Sequence, residues 1–347
     1  MVECLLMNVQ NLRQRSATIK LIRRFFDERG YVEMHTPRLV GSPGQEPHLE
    51  PFWSEVVESN GTRHAAALIT SPEYAMKRLL AAGFDKIYDL GPCFRNGEPF
   101  DGSHDPEFLM LEWYRKGGDL KSLMDETEEM VRWVAIKYRE PGTGNREQLK
   151  YPVPRSPFPV PEQPFRRMTC EEAWKEYAGA DLASLIGDRE AMSKVAREHG
   201  QTVADGDSWD DLYFKVFLSK IEPKVAEAPT FLYRYPASQA ALARACADDP
   251  RFAERVELYA GGLELANGFV ELADADEQRH RFVEEQELRR SLGKKMWAVD
   301  ERFLSDLPGM GEAVGIAFGV DRFVMLLTGT SSINDVVPFP ARERFGT

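Results

Sequence analysis

The segments CFRNGE (residues 93–98) and HDPEFLMLEWY (residues 104–114) decide the fold class of this chain. Apolar residues fill 87–94 and 108–114, and the residues between them are polar and contain glycine, which predicts two strands joined as a hairpin with a long tip. Because side chains alternate along a strand, Glu112 and Tyr114 share one face. Arg95 follows the first strand, where a guanidinium can grip a phosphate or a carboxylate.

Other elements follow from periodicity and from glycine and proline punctuation. The sequence predicts helices at 11–30, 72–82, 120–138, 169–177, 188–199, 209–225, 276–292 and 322–327. It predicts further strands at 31–34, 65–70, 230–235, 256–266 and 314–318. Antiparallel strands with interspersed helices and no β-α-β rhythm predict an α+β fold.

The composition of the chain argues against some classes of function. The chain has 347 residues, 29% of them charged, and a net charge of −12. An acidic balance argues against broad, non-specific nucleic-acid binding. Four scattered cysteines favour a reducing cytoplasm, and no apolar run approaches the roughly 20 residues that cross a bilayer. A proline-rich stretch at about 140–165 predicts a linker or insertion, with a docking peptide as the alternative.

A second group of polar residues lies about two hundred residues further along the chain. Asn267, Phe269 and Glu271 share a face if the strand extends that far. Glu264 is an odd number of residues before Glu271, so the two carboxylates diverge unless Gly268 introduces a bulge. Converging carboxylates would suit Mg²⁺.

The segment 315–322 predicts a strand that enters a helix. Asp321 could cap that helix, and Arg322 could stack on a purine ring.

Each of these features has a structural alternative. Arg95 could form a surface ion pair, and Glu112 with Tyr114 could make ordinary polar contacts in a half-buried strand. Glu264 and Glu271 could belong to a solvated strand edge. Ser71 and Glu73 are also explained as the start of a helix, with a capping serine and an acidic first turn.

Taken in order, these segments resemble the catalytic domain of class II aminoacyl-tRNA synthetases of the lysyl type. They resemble more closely the short relatives that ligate (R)-β-lysine to elongation factor P. The resemblance spans about residues 13–339 and includes TSPEYAMKRLL (70–80), PEFLMLEWYR (106–115), YPASQA (235–240), ELANGF (264–269) and GVDR (319–322). It implies one catalytic domain over 11–340, an antiparallel sheet flanked by helices, and no anticodon-binding barrel before it. The absence of that barrel, with the acidic balance, favours a protein acceptor over tRNA.

The resemblance also implies a role for each matching residue. Arg95 and Arg322 would be catalytic, the first on the α-phosphate and substrate carboxylate and the second on adenine. The substrate-binding residues would be Ser71, Glu73, Glu112, Tyr114, Asn267 and Glu271. The residues that bind ATP would be Arg95, Asn96, Asp105, Phe108, Glu264, Leu265, Gly319 and Arg322. Glu264 and Glu271 would hold Mg²⁺, and Pro37 would lie at a homodimer interface.

Three positions bear on the substrates. Ala317 stands where lysyl-tRNA synthetases have glycine and the translation-factor ligases have alanine, which favours a β-amino acid over lysine. Gly97 replaces a glutamate of the family pattern, in a loop one residue longer. Asp105 replaces an asparagine and is expected to add negative charge near the phosphates.

The resemblance predicts ATP-dependent activation of (R)-β-lysine or lysine as an aminoacyl-adenylate, followed by transfer to a lysine of elongation factor P. Two other hypotheses stay open. The chain could be an amino-acid ligase with a different acceptor, or a non-catalytic paralogue that senses amino acids or nucleotides.

Overall fold

The computed structural model describes residues 8–139 and 161–346. Their strands are β1 (Val32–Met34), β2 (Leu39–Val40), β3 (Trp53–Val57), β4 (Arg63–Leu68), β5 (Lys86–Phe94), β6 (Glu107–Lys116), β7 (Arg166–Thr169), β8 (Thr230–Pro236), β9 (Phe252–Ala260), β10 (Leu263–Val270) and β11 (Ala313–Gly319).

The α-helices are α1 (Val9–Asp27), α2 (Glu73–Ala81), α3 (Leu120–Arg139), α4 (Cys170–Ala173), α5 (Leu182–Leu185), α6 (Arg189–Glu198), α7 (Trp209–Val216), α8 (Glu222–Val225), α9 (Ala275–Ser291), α10 (Glu301–Asp306), α11 (Val320–Thr328) and α12 (Ala341–Phe345). One π-turn, Trp174–Ala178, continues α4, and another, Phe217–Ile221, joins α7 to α8. The 3-10 turns are Ala237–Gln239, Leu307–Met310 and Ile333–Asp335.

The main sheet has eight strands in the order β1-β5-β6-β11-β10-β9-β8-β7. Its inner pairs are antiparallel, and the two edge pairs, β1 with β5 and β7 with β8, are parallel. A second sheet has the order β2-β4-β3. This is the α+β architecture that the sequence predicts, with helices against a largely antiparallel sheet.

One face of the main sheet is buried under helices α1, α3 and α11. Trp113 and Ile316 point to that side and pack in a core that includes Phe25 of α1 and Val134 of α3. Because neighbours in a strand point to opposite faces, the polar residues that alternate with them lie on the other face. A separate apolar cluster around Trp174 joins α4–α8 to the far end of the sheet.

The predicted hairpin, β5 with β6, is confirmed, and the predicted helices are present with bounds shifted by a few residues. The single strand predicted at 256–266 is wrong. Gly261 and Gly262 have φ angles of 62° and 82° and form a two-residue turn between β9 and β10. Consecutive positive φ angles are the conformation that tight hairpin turns require and that glycine adopts easily. Strands β2, β3 and β7 were not predicted.

Most of the proline-rich stretch lies outside the described residues, since 140–160 fall between the two described ranges. No helix within 8–139 and 161–346 combines the length and the apolar character needed to cross a membrane.

Candidate active site

The face of the central strands opposite that core carries a row of predicted site residues. Ala317 of β11 pairs with Glu112 of β6 and with Asn267 of β10, so these three side chains share a face. Gly315, two residues earlier, pairs with Tyr114 on the same face. The strand register therefore brings together the two sequence segments that predicted the site.

A cavity of about 710 Å³ opens on this face, between the sheet, the loop 46–49 and helix α9. The predicted site residues that line it are Ser71, Glu73, Arg95, Glu112, Tyr114 and Asn267. Its volume lies within the range typical of small-molecule sites.

Glu112 is the buried centre of one end of the cavity. Its carboxylate accepts hydrogen bonds from Ser71 Oγ at 2.6 Å and from the Tyr114 hydroxyl at 2.8 Å. Burial, with the neighbouring charge of Glu73, raises the pKa of Glu112 to about 8 despite these bonds. A ligand ammonium placed here would relieve that unfavourable burial of charge.

Beside Glu112 lies a buried ion-pair group that the sequence did not predict. Lys77 Nζ lies 2.6 Å from Glu73 Oε1 and 2.7 Å from Glu271 Oε2, and its side chain is 0% exposed. Burial raises the pKa of Glu271 to about 8, although Lys77 acts in the opposite direction. Glu271 Oε1 is buried without a hydrogen-bond partner in the described part of the chain, so it retains the capacity to accept a hydrogen bond.

Gly315 makes room for these groups. A Cβ on this residue would lie 2.2 Å from Tyr114 Cε1 and 2.4 Å from Glu271 Oε1. Such distances are far inside van der Waals contact, so a side chain at Gly315 would displace both residues. The space above the β11 backbone is thus part of the site.

Asn267 is oriented by Arg255, which sequence reasoning also missed. Arg255 Nε donates to Asn267 Oδ1 at 3.0 Å, and its guanidinium forms an ion pair with Glu257. Because Oδ1 is occupied, the amide nitrogen of Asn267 remains available to donate to a ligand acceptor. In the sequence, only the polar residues around Arg255 on β9 could have indicated that it belongs to the site.

The other end of the site contains the predicted arginines. Arg95 stacks against Phe108, with 5.1 Å between the guanidinium carbon and the ring centroid, and its buried Nε has no hydrogen-bond partner in the described residues. Arg322 Nη1 lies 3.9 Å from Glu264 Oε2, and Nη2 lies 3.2 Å from His104 Nε2. Arg95 has an Nε that is free within the described residues, and Arg322 lies beside Glu264 and His104. Both guanidinium groups suit an anionic ligand.

A β-bulge places Glu264 on the cavity face. Glu264 pairs with Tyr259 while Asn267 pairs with Glu257, so β10 contains one extra residue between these pairs. Glu264 and Asn267 consequently share a face. The bulge is at Leu265, and the predicted bulge at Gly268 is wrong.

Gly268 instead lets two strands approach closely. A Cβ there would lie 2.7 Å from Ile316 Cβ and 2.8 Å from the Gly315 carbonyl oxygen. Gly268 therefore allows the close packing of β10 against β11.

The predicted sharing of one metal ion by Glu264 and Glu271 is corrected by their positions. They stand at opposite ends of β10, roughly 20 Å apart along the strand. Glu271 already faces the ammonium of Lys77, which opposes a cation. Among the described residues no group of three or more His, Cys, Asp or Glu side chains is placed to hold a metal.

Glu264 remains a candidate for metal bound jointly with phosphate. Burial and the charge of Glu257 raise the pKa of Glu264 to about 7, while Arg322 acts to lower it. A single carboxylate beside phosphate oxygens is a common way for proteins to hold Mg²⁺. The residues present therefore fit a phosphate-bridged Mg²⁺ at Glu264.

Asp105 does not face the cavity, contrary to the prediction. Its carboxylate accepts from the backbone nitrogens of Ala341, at 2.8 Å, and Glu107, at 3.1 Å, and forms an ion pair with Arg344. The negative charge that was expected near the phosphates is therefore neutralised by the C-terminal helix α12.

The remaining predicted residues surround the arginines. Asn96 is exposed, and its Oδ1 accepts from the nitrogen of Gly97, whose φ of 77° suits glycine in the longer loop. A Cβ on Gly319 would contact the Leu265 carbonyl oxygen and Arg322 Cδ, at 3.7 Å each, so these backbones pack against the Arg322 side chain.

The sequence suggested that Asp321 could cap α11, but in the structure it does not. It accepts instead from the nitrogen of Leu109 and from Arg15 Nε, each at 2.7 Å. Asp321 thus ties α11 to β6 and to α1.

The site has one end rich in carboxylates and another end that contains arginines. Lys77, a single buried ammonium, contacts Glu73 and Glu271, and Glu112 and Glu46 lie nearby, so carboxylates outnumber the ammonium at this end. Arg95 also lines the cavity, and Arg322, which lies outside the cavity lining, stands beside Glu264. Such a site suits a ligand with two ammonium groups beside an anionic group.

Comparison with known proteins agrees with this geometry. The family model described as tRNA synthetases class II (D, K and N) matches residues 7–343. The protein named elongation factor P–(R)-β-lysine ligase in Proteus mirabilis is 39% identical over 338 residues, which cover 96% of this chain and 95% of that protein. Proteins of the same name are 38% identical in Yersinia enterocolitica, over 336 residues, and 37% identical in Haemophilus influenzae strain PittGG, over 335 residues, with 96% and 95% coverage in each case.

Proposed function

This chain belongs to the class II tRNA synthetases of the D, K and N group, and from that premise we propose that it activates (R)-β-lysine or lysine with ATP and ligates it to a lysine side chain of elongation factor P. The observation that carries the proposal is the excess of carboxylates around Lys77 at the buried end of the cavity, together with the arginines Arg95 and Arg322. The full-length similarity to proteins named elongation factor P–(R)-β-lysine ligase supports the choice of substrates.

The amino acid would take one orientation in the cavity. Its carboxylate would lie near Arg95 and the free amide nitrogen of Asn267. One amine would meet Glu73 and Glu112, and the other would meet Tyr114 and the open Oε1 of Glu271. Pairing each buried carboxylate with an ammonium offsets the cost of burying its charge.

ATP would occupy the end with the arginines. Arg322 would pack against adenine, and Arg95 would contact the α-phosphate. Mg²⁺ bound through Glu264 and phosphate oxygens would supply charge neutralisation and hold the polyphosphate in place. Leu265 and Gly319 would contribute their backbones, and Asn96 lies beside the same loop.

The reaction has two steps that need no covalent bond to the enzyme. A carboxylate oxygen of the amino acid attacks the α-phosphorus, the bond to the β-phosphate bridging oxygen breaks, and pyrophosphate leaves. Arg95 stabilises the charge that develops on the α-phosphate. The neutral ε-amine of the acceptor lysine then attacks the adenylate carbonyl, AMP leaves, and the amine loses a proton as the amide forms.

Ala317 supports a β-amino acid as the substrate. Its methyl group projects from the cavity floor between Glu112 and Asn267. A side chain there alters the space for the backbone of the amino acid, where a β-amino acid has an extra methylene between amine and carboxylate.

A homodimer and a cytoplasmic location are further parts of the proposal. Pro37 is exposed and lies near other exposed apolar residues of β1–β3, namely Val32, Leu39, Val56 and Val57, which would be covered by a second copy. The described cysteines Cys93, Cys170 and Cys246 are all free thiols, as in a reducing compartment.

Mass spectrometry of elongation factor P co-expressed with this chain tests the proposal. We expect one added lysine or β-lysine mass on a single lysine, and no addition with Arg322→Met. Pyrophosphate exchange with lysine or β-lysine but no modified elongation factor P would favour another acceptor. ATP binding without exchange for any amino acid would favour a sensing paralogue, and both results would overturn the proposed reaction.

A further inference from the structure

The ammonium of Lys77 is enclosed by carboxylates that the proposed function assigns to the substrate amines. Its nitrogen lies within 2.7 Å of Glu73 and Glu271 and has no exposure to solvent. Glu73 is one turn before Lys77 on α2, whereas Glu271 follows β10. Lys77 thus connects the helix and the sheet at the point where the amines would bind.

Charge explains why a cation is needed there. Glu73, Glu112, Glu271 and the nearby Glu46 all lie in or beside the cavity, and mutual repulsion adds to the cost of burying them. Lys77 is the cation that lies in contact with this group among the described residues. Without it, the carboxylates would take up protons and lose their attraction for an amine.

Geometry gives Lys77 a second effect. It forms an ion pair with Glu271 Oε2 at 2.7 Å, while Oε1 lies beside the Gly315 backbone and makes neither an ion pair nor a hydrogen bond within the described residues. One oxygen is thereby fixed to the protein and the other is left for the ligand. The same arrangement prevents Glu73 and Glu271 from turning towards other donors.

We propose that Lys77 is a positioning residue, which fixes Glu73 and Glu271 for the two amines of a diamino acid and offsets part of the negative charge of the site. The inference rests on the proposed function and assigns the residue that enforces its substrate class. Lys77 acts through the two glutamates and touches no reacting atom.

The groups that face Lys77 define the expected pH behaviour. Glu73 comes from α2, Glu271 follows β10, and Glu46 lies in the loop before β3, whereas Glu112 and Tyr114 of β6 adjoin the glutamates rather than Lys77. Burial alone would lower the pKa of Lys77, but Glu271 and Glu73 outweigh it and raise that pKa. Lys77 therefore stays an ammonium while the glutamates titrate around it.

Lys77→Met tests the inference because it keeps the length of the side chain and removes the charge. We expect KM for the diamino acid in pyrophosphate exchange to rise by about tenfold or more near pH 7, with a much smaller change in KM for ATP. The increase should shrink as the pH rises above about 9, because Glu271 then ionises without Lys77. A purely structural defect would not be reversed by pH.

Lys20→Met, an exposed lysine on α1, is the matched control and should match the wild type. A folded Lys77→Met enzyme with an unchanged KM for the diamino acid, or with a defect that does not depend on pH, would overturn the inference. Lys77→Gln provides a second neutral variant with the same expected results.

One measurement does not require any variant to fold. The ¹⁵Nζ signal of Lys77 in the wild-type enzyme should report an ammonium from about pH 6 to about pH 10, with and without the diamino acid. A neutral amine in that range would overturn the inference. If a different amino acid drives exchange in the wild type, the proposed function fails, but the Lys77 variants can still be assessed with that amino acid.

Discussion

Arg322 Nη1 donates a 2.9 Å hydrogen bond to the backbone carbonyl of Glu264. The bond joins the start of α11 to the bulged end of β10 and fixes the guanidinium beside the Glu264 carboxylate. Two residues far apart in the chain thereby lie side by side, and their charges suit an anion next to Arg322 and a metal ion next to Glu264.

Replacement of Arg322 by methionine should strongly impair nucleotide use. Because Arg322 would pack on adenine, and a desolvated cation over an aromatic ring contributes about 2 kcal/mol or more, we expect kcat/KM for ATP in pyrophosphate exchange to fall by about 30-fold or more. Arg302→Met, at an exposed position on α10, is the control and should retain full activity. A loss of less than about fivefold would contradict the placement of ATP at this corner.

Gly315→Ala should remove amino-acid binding while it leaves ATP binding largely intact. The new Cβ would overlap Tyr114 Cε1 and Glu271 Oε1, at 2.2 Å and 2.4 Å. Isothermal titration with lysine or β-lysine should therefore show an affinity reduced by about tenfold or more, since overpacking costs about 1–3 kcal/mol. Gly206→Ala, at an exposed glycine with nothing within 4 Å, is the control. Normal affinity in Gly315→Ala would place the amino acid elsewhere.

The sequence predicted the parts of the site that depend on strand periodicity. Glu112 and Tyr114 follow from alternation in β6, and Asn267 follows from alternation in β10. The bulge at Leu265 was missed because no local residue type marks it. The two-glycine turn after Ala260 was missed although its sequence is typical of hairpins, because the apolar run on both sides suggested one strand.

Contacts between side chains that are far apart in the chain could not be predicted from the sequence. Lys77 had an ordinary helical explanation, since its partner Glu271 becomes a neighbour only when α2 packs against the sheet. Asp105 was expected to disturb phosphate binding, because nothing in the loop indicated that Arg344 would reach it. In both cases the charge that decides the role of the residue comes from a distant part of the chain.

The affinity for a diamino acid should increase with pH. Glu112 and Glu271 both have a pKa raised to about 8, mainly by burial. An ammonium binds the ionised carboxylate, so KM should fall as the pH rises from about 6 to about 8, by up to roughly tenfold per unit for each group. Steady-state exchange over this range measures it, with KM for ATP as the internal comparison. A KM for the amino acid that rises with pH would contradict the assignment.

Asp105→Asn should affect stability more than catalysis. The substitution removes the charge that pairs with Arg344 and weakens the bond from the nitrogen of Ala341. We expect the free energy of unfolding in urea to fall by about 1–3 kcal/mol, with exchange activity close to that of the wild type. Asp205→Asn, at an exposed position, should change neither quantity. A gain in ATP affinity without loss of stability would restore Asp105 to the nucleotide site.

Ala317→Gly should shift the choice of amino acid from (R)-β-lysine towards lysine. The methyl group of Ala317 lies on the cavity floor between Glu112 and Asn267, where the backbone of the amino acid would lie. Its removal opens space of one methyl group, and a change of that size alters discrimination by about 10-fold or more. Separate measurements of kcat/KM for the two amino acids should show a ratio that moves towards lysine, with KM for ATP unchanged. An unchanged ratio would mean that Ala317 does not contact the backbone of the substrate, and the distinction between the two amino acids would then have to lie with Glu73, Glu271 and the lysine between them.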